Sequence, residues 1–133
     1  MRFYIASGLK NSSLVSELIS FLEARGHICT YDWTEHNDVR SEGEARMNEV
    51  SFSEASAVKD AELFIALLPG GKGTHTELGI ALATRVNKRI MLWSDTGDEF
   101  VAGDNTCVFY FHPAVERIVS SFDELTKSLE DLY

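Results

Sequence analysis

Apolar residues along the chain follow two patterns that alternate with each other. Short continuous runs rich in β-branched and aromatic residues predict strands, and between them apolar residues recur at helical spacing. The predicted strands are residues 2–6 (RFYIA), 28–33 (ICTYDW), 63–68 (LFIALL), 89–94 (RIMLWS) and 106–111 (TCVFYF). Strands that alternate with helices are typical of a parallel α/β sheet.

Helical patterns fill the segments between these strands. Leu14, Leu18 and Leu22 lie on one face of a first predicted helix, and Gly26 is its stop signal. Further helices are predicted over about residues 43–61, over 75–86, and from 114 to the C-terminus. Each crossover is therefore long enough to contain a helix.

We predict an α/β fold in which residues 1–133 form a single domain. The expected architecture is a three-layer sandwich with a five-stranded parallel sheet, in the flavodoxin-like (Rossmann-like) order 2-1-3-4-5. In that order, ligands bind beyond the carboxyl ends of strands 1 and 3, where the winding reverses. Two polar loops, Thr34 to Gly43 and Asp95 to Asn105, leave the same edge and are either lids or plain surface connectors.

Composition and charge narrow the function classes. Hydrophobic residues make up 44% of the 133 residues and charged residues 25%, as in ordinary globular domains. The formal net charge of -9 argues against a nucleic acid polymer as partner. No apolar run has the length of a membrane span and no signal peptide is evident, so we expect a cytoplasmic protein.

Metal and redox chemistry have no support in the sequence. Cys29 and Cys107 lack the spacing of a zinc or C-x-x-C site, which predicts free thiols. His36 and Asp38 have no partners at the spacing of a metal site. We therefore expect neither a metal nor a cofactor.

The stretch "PGGKGTHTELG", from Pro69 to Gly79, follows predicted strand 3. It is not a Walker loop, because Gly73 follows the only Gly-Lys pair, and Thr76 stands where a dinucleotide fingerprint needs glycine. A capping box from Thr74 to Glu77 would by itself account for the glutamate. A cap needs no glycines upstream, however, whereas a backbone that approaches a ligand closely does. The predicted substrate-binding residues of this loop are Gly70, Gly71, Lys72, Gly73, Thr74 and His75.

Glu77 is the candidate nucleophile. In the first turn of a helix, the dipole would keep its carboxylate ionised at neutral pH. Such a carboxylate can attack a sugar carbon or stabilise an oxocarbenium-like centre, as in retaining glycosyl transfer. The reaction also needs an acid, because a base departs more easily when protonated. Candidates are Glu54, Asp60 and Glu62, of which Glu54 and Glu62 share a helical face.

Aromatic residues near the predicted site have to be weighed against simple packing. Tyr4 lies on a predicted central strand, the usual position of a core aromatic residue. Trp33 and Trp93 end predicted strands, and packing under a loop is favoured over stacking on a base. His75 is either an exposed residue of the first helical turn or a donor to a ligand.

Three pieces of the chain carry a family resemblance. They are "FYIAS" (3–7), "EASAVKDAELFIALLPGGKGTHTELGIALA" (54–83) and "KRIMLW" (88–93). Together they resemble the nucleoside 2-deoxyribosyltransferase family, which includes related deoxynucleoside 5′-monophosphate N-glycosidases. The resemblance implies cleavage of the N-glycosidic bond of a 2′-deoxynucleoside or its 5′-monophosphate through a covalent deoxyribosyl-enzyme intermediate. It makes Glu77 the nucleophile, Tyr4 its hydrogen-bond partner and Glu54 the acid near the base.

One position departs from the transferases. They carry an acid six residues before the nucleophile, where this chain has Gly71. The related N-glycosidases hold a phosphate with small or hydroxyl residues. Ser7, Gly8 and the stretch from Gly71 to Thr74, here named the glycine loop, fit that role, with Lys10 or Lys72 as countercharge. Transfer, hydrolysis and non-catalytic nucleotide binding all stay open. The resemblance also implies a homo-oligomer, at least a dimer, because the family site takes residues from a neighbouring subunit.

Overall fold

The computed structural model describes residues 1–36 and 38–132, and in them the chain forms a five-stranded, all-parallel sheet. The strands are β1 Arg2–Ser7, β2 Ile28–Cys29, β3 Leu63–Leu67, β4 Arg89–Ser94 and β5 Val115–Val119. The α-helices that flank the sheet are α1 Ser12–Glu23, α2 Glu44–Asp60, α3 Lys72–Ala83 and α4 Phe122–Ser128. The strand order is β2-β1-β3-β4-β5, which confirms the predicted α/β fold class and topology.

The central strands are buried on both faces, which explains their continuous apolar sequences. Tyr4 pairs with Phe64, and Phe64 with Ile90, so these residues share one face of the sheet. Because side chains alternate along a strand, Trp93 lies on the opposite face, where it packs edge-on against Phe122 of α4.

Local signals account for the first crossover. The buried stripe of α1 is Val15, Leu18, Ile19 and Leu22, at the spacing of one helical face. After α1, Gly26 has a φ of 88°, a conformation that favours glycine and stops the helix.

The last predicted strand, residues 106–111, is wrong. Val108–Phe111 forms a short 3₁₀ helix, and β5 lies at Val115–Val119 instead. The predicted helix from residue 114 is therefore also wrong over its first part, because α4 begins at Phe122. As an edge strand that pairs only with β4, β5 leaves Glu116 and Arg117 exposed, so its sequence lacks the apolar run of a central strand.

Strand β2 is shorter than the predicted 28–33. The chain leaves the ladder after Cys29, and Trp33–Glu35 forms a 3₁₀ turn. The buried Trp33 indole donates a hydrogen bond from Nε1 to the Ile5 carbonyl at 2.7 Å, which supports the packing interpretation of this residue.

Asn37 and Tyr133 lie outside the described part of the chain. The sequence places Asn37 in a loop that is either a lid or a surface connector, and Tyr133 at the end of the last predicted helix. In the described residues, no helix combines the length and the apolar character needed to cross a membrane.

Candidate active site

The loops that follow β1 and β3 touch each other at the carboxyl edge of the sheet, as the predicted topology requires. The Gly8 amide donates to the Pro69 carbonyl at 3.3 Å. The Ser7 hydroxyl donates to the Leu67 carbonyl at 2.5 Å and accepts from Asn11 Nδ2 at 3.0 Å. Ser7 thus ties the two loops together, and its predicted role toward a substrate stays a prediction.

The glycines of the site fall into two groups. A Cβ on Gly8 would lie 3.1 Å from the Pro69 carbonyl oxygen, and one on Gly70 would lie 2.4 Å from the side chain of Thr74. Packing of the chain against itself therefore accounts for these two. A Cβ on Gly71 or Gly73 would meet nothing within 4 Å, and neither residue has a positive φ. Their lack of a side chain leaves the backbone open to a ligand.

Helix α3 begins earlier than predicted, and this changes the position of the glutamate. Its first residue is Lys72, with Gly71 as the N-cap. Thr74 Oγ1 accepts a hydrogen bond from the Gly71 amide at 3.2 Å. The predicted capping box is therefore wrong: Thr74 lies inside the first turn, and Glu77 lies in the second turn, on the buried side of the helix.

Glu77 is held by a tyrosine from the centre of the sheet. Tyr4 is fully buried, and its hydroxyl donates to Glu77 Oε2 at 2.5 Å. Glu77 itself is only 8% exposed. The predicted pairing of these two side chains is thus present, because β1 directs Tyr4 toward the face that α3 covers.

Burial, rather than the helix dipole, dominates the electrostatics of Glu77. The pKa of Glu77 is raised to about 8, and burial is the largest cause. The hydrogen bond from Tyr4 lowers this pKa, whereas the charge and the side-chain hydrogen bond of the neighbouring Glu54 carboxyl raise it. The helix dipole was expected to favour the ionised carboxylate, whereas burial and the second carboxyl shift the pKa in the opposite direction, toward the protonated form. Burial and both carboxylates also raise the pKa of Tyr4, so its hydroxyl keeps its proton.

Among the three candidate acids, Glu54 is the one beside Glu77. It is half-buried on α2, a helix that packs against α3. Asp60 is exposed at the end of the same helix, and Glu62 binds the backbone amide of Arg2 at 2.9 Å at the opposite edge of the sheet. The shared helical face predicted for Glu54 and Glu62 does not exist, because α2 ends at Asp60.

His75 makes contacts that the sequence did not reveal. Its Nδ1 lies 2.6 Å from the Gly71 carbonyl oxygen, and its Nε2 lies 2.7 Å from the Tyr110 hydroxyl. Tyr110 belongs to the segment mistaken for a strand, and no spacing in the sequence connects it to the glycine loop. His75 itself is neither fully exposed nor free to offer an unoccupied ring nitrogen.

A second tyrosine was also missed. Tyr31 follows β2 by two residues, and burial and the nearby charge of Glu54 raise its pKa. It therefore sits beside the acid that faces Glu77. Its place in a short aromatic run gave no signal beyond strand propensity.

The basic residues considered as countercharges lie at the rim. Lys10 is exposed in the short turn Leu9–Asn11, and Lys72 is exposed at the start of α3. Across residues 1–36 and 38–132, neither lysine joins an ion pair, and no three His, Cys, Asp or Glu side chains are grouped as a metal site would require.

Comparison with known proteins identifies similar folds. The structure resembles that of the CMP N-glycosidase BcmB from Clostridium botulinum, with a TM-score of 0.66, 22% sequence identity, and coverage of 98% of this chain and 99% of that one. It also resembles a conserved protein from Enterococcus faecalis V583, with a TM-score of 0.64, 16% identity, and coverage of 100% and 99%. No protein-family profile and no curated protein sequence matches the chain.

Proposed function

We propose that this protein cleaves the N-glycosidic bond of a nucleoside or nucleoside 5′-monophosphate, with Glu77 as the nucleophile. One observation carries the proposal. The buried Glu77 accepts a hydrogen bond from the buried Tyr4 and faces a second carboxyl, that of Glu54, at the carboxyl edge where the winding of the sheet reverses. A carboxyl whose pKa is strongly perturbed, at the edge where ligands bind in such sheets, is a candidate for a functional group.

The two carboxyls supply both groups that the reaction needs. One proton held by the pair leaves Glu77 ionised when the proton resides on Glu54. Attack of Glu77 on the anomeric carbon then breaks the bond to the base as Glu54 transfers its proton to the departing nitrogen. Tyr4 holds Oε2 of Glu77 throughout.

The second half of the reaction restores both groups. Glu54, now a carboxylate, takes a proton from a water molecule as the water oxygen attacks the anomeric carbon, and the bond between that carbon and the Glu77 oxygen breaks. The sugar is released, Glu77 becomes a carboxylate again and Glu54 carries the proton. Water is the only co-reactant in this hydrolysis, whereas an acceptor base in place of water would give transfer.

The glycine loop supports a phosphorylated substrate. Helix α3 begins at Lys72, and its first i to i−4 hydrogen bond is donated by the His75 amide to the Gly71 carbonyl. The amides of Lys72, Gly73 and Thr74 are thus available to an anion, beside a backbone that no side chain covers. The similarity to a CMP N-glycosidase also favours hydrolysis of a nucleoside monophosphate.

A homo-oligomer, at least a dimer, is part of the same proposal. In the single chain, Val108, Phe109 and Phe111 leave 45–76% of their surface exposed next to the site, so a second copy would cover apolar surface there. Light scattering after size-exclusion chromatography measures the state directly, and a monomer would remove this part of the proposal. Apart from a second copy of the chain, the partner that we propose is a small nucleoside or nucleotide, and the proposed compartment is the cytoplasm.

A non-catalytic nucleotide-binding module is the second candidate. It is favoured by the pKa of Glu77 at about 8, because a glutamic acid that holds its proton at neutral pH is a poor nucleophile. Such a module would be stabilised by its ligand by mass action without forming product.

The deciding experiment is chromatography of the free base released from nucleosides, deoxynucleosides and their 5′-monophosphates, with and without an acceptor base. Wild type and Glu77→Gln are compared in parallel. Release that depends on Glu77 supports the proposal, and exchange of bases would identify a transferase. Thermal stabilisation by a nucleotide without any release would favour the binding module.

A further inference from the structure

His75 connects three parts of the molecule through one imidazole ring. Its Nδ1 contacts the carbonyl of Gly71 in the glycine loop, and its Nε2 contacts the hydroxyl of Tyr110 in the 3₁₀ segment Val108–Phe111. The two rings also stack, with centroids 5.7 Å apart and an interplanar angle of 27°. Phe100 packs edge-on against the other side of Tyr110.

The partners define the tautomer of this histidine. A carbonyl oxygen can only accept, so Nδ1 carries the hydrogen and donates to Gly71. In the neutral ring Nε2 is then the acceptor, and the Tyr110 hydroxyl donates to it. Tyr110 is buried, which raises its pKa to about 12 and keeps that hydroxyl protonated.

Hydrogen bonds hold the backbone of the glycine loop at Gly71. Apart from chain neighbours and the backbone of its own helix, a Cβ on Gly71 or Gly73 would meet no atom within 4 Å, so no packed side chain fixes the loop at these two positions. The Gly71 amide is held by Thr74 Oγ1, and its carbonyl by the backbone amide and the ring of His75. A carbonyl fixed toward His75 leaves the amides that follow it turned toward the open side of the loop.

We propose that His75 and Tyr110 are a positioning pair, which orients the glycine loop for the substrate without touching the substrate. The proposal rests on the proposed N-glycosidase function. It assigns to His75 a role different from the direct ligand contact predicted from the sequence. Because the loop would bind the same substrate group in the ground state and the transition state, weakening the pair should raise KM and leave kcat nearly unchanged.

Four variants separate positioning from general stability. Tyr110→Phe removes the hydroxyl and keeps the ring. His75→Ala removes both contacts, whereas the side-chain amide of His75→Asn takes the place of Nδ1 and keeps the donor to Gly71. His27→Asn is the control, because His27 is a buried histidine that contacts the N-terminal ammonium at 2.9 Å, near the start of β2, instead of the glycine loop.

The measurements are KM and kcat for base release from cytidine and deoxycytidine 5′-monophosphate, with thermal unfolding of every variant. Tyr110→Phe and His75→Asn should raise KM about 5- to 10-fold, the scale of one hydrogen bond, with kcat within about twofold of wild type. His75→Ala should raise it further, so that His75→Asn is a partial rescue. His27→Asn should lower the unfolding temperature without changing KM.

Amide hydrogen exchange of residues 71–75 and the ¹⁵N shifts of the His75 ring give a readout that needs no activity. Faster exchange in Tyr110→Phe and a ring protonated at Nδ1 support the pair. The positioning role is overturned if amide exchange of residues 71–75 is the same in Tyr110→Phe as in wild type. It is also overturned if the Tyr110 and His75 variants are less stable but keep the wild-type KM. If wild type releases no base, the proposed function fails, and the exchange rates still decide whether the pair holds the loop.

Discussion

Glutamate side chains lie in opposite environments at the amino ends and at the carboxyl ends of the strands, which form the amino edge and the carboxyl edge of the sheet. At the amino edge, Glu62 binds the amide of Arg2 and Glu116 binds Arg89 at 2.6 Å, both in exposed positions. The Arg2 amide lowers the pKa of Glu62. At the carboxyl edge, Glu77 is buried against Glu54 and its pKa is raised.

The difference is that, among the described residues, no basic side chain forms an ion pair with either carboxyl at the carboxyl edge, that of Glu54 or that of Glu77. A buried acid without a countercharge costs stability, and proteins keep such groups mainly where chemistry needs them. The amino edge is therefore the natural control for every substitution at the carboxyl edge.

The largest contrast is expected between Glu77→Gln and Glu62→Gln. Loss of the nucleophile should reduce base release by at least about 10³-fold, since the covalent intermediate can no longer form. Glu62→Gln removes only an exposed contact and should keep near wild-type activity. Chromatography of released base at equal protein concentration measures both. Equal loss in the two variants would contradict the distinction between the edges.

Substitution of the acid should come next. Glu54→Gln should lower kcat by about 10²- to 10³-fold, the usual contribution of a general acid. The loss should be smaller for an N7-methylated purine nucleotide, whose base leaves without needing a proton. Asp60→Asn, on the exposed end of the same helix, is the control. An equal loss for both kinds of leaving group would argue against Glu54 as the acid.

Tyr4→Phe tests the hydrogen bond to Glu77. It should lower kcat/KM by about 10- to 100-fold, the range for a hydrogen bond to a charged group. Because the hydroxyl lowers the pKa of Glu77, its removal should raise that pKa and move the acidic limb of the pH–rate profile to higher pH. If the acidic limb of the pH–rate profile stays at the same pH in Tyr4→Phe as in wild type, Tyr4 does not act through Glu77.

The last prediction concerns stability rather than activity. Below pH 4.5, the ordinary pKa of a glutamate, Glu77 is protonated in both the folded and unfolded chain. Between that pH and about 8, only the folded chain holds the proton, so the free energy of unfolding should fall as pH rises. Relative to Glu77→Gln, wild type should lose on the order of a few kcal/mol from pH 5 to 8. Urea unfolding at several pH values measures this, and parallel curves for the two proteins would refute it.

Different parts of the fold were predictable for different reasons. The strands β1, β3 and β4 are buried on both faces, so their sequences are continuous apolar runs that identify them. β5 is an edge strand with exposed charges, and the aromatic run before it forms a 3₁₀ segment whose Tyr110 packs on α3. Periodicity cannot separate a half-exposed strand from a helix, or an aromatic loop from a strand.

The candidate site divides in the same way. The glycines, the lysine and Glu77 are adjacent in the sequence, so "PGGKGTHTELG" was enough to indicate them. The partner of Glu77 followed from a family resemblance rather than from any spacing. The start of α3 was misplaced because Thr74 to Glu77 matches a capping box, while the first turn is held instead by the amide of Gly71 on the threonine hydroxyl.

By itself, the sequence determined the parallel sheet, its order and the edge at which the candidate site is expected, because these depend on patterns local to each segment. Only the tertiary structure decided that the buried Glu77 accepts a hydrogen bond from Tyr4 beside Glu54, and that its pKa is raised. It also brought His75 and Tyr110 together. Burial and charge around a side chain depend on which distant segments pack against it, and no neighbouring letters of the chain encode that directly.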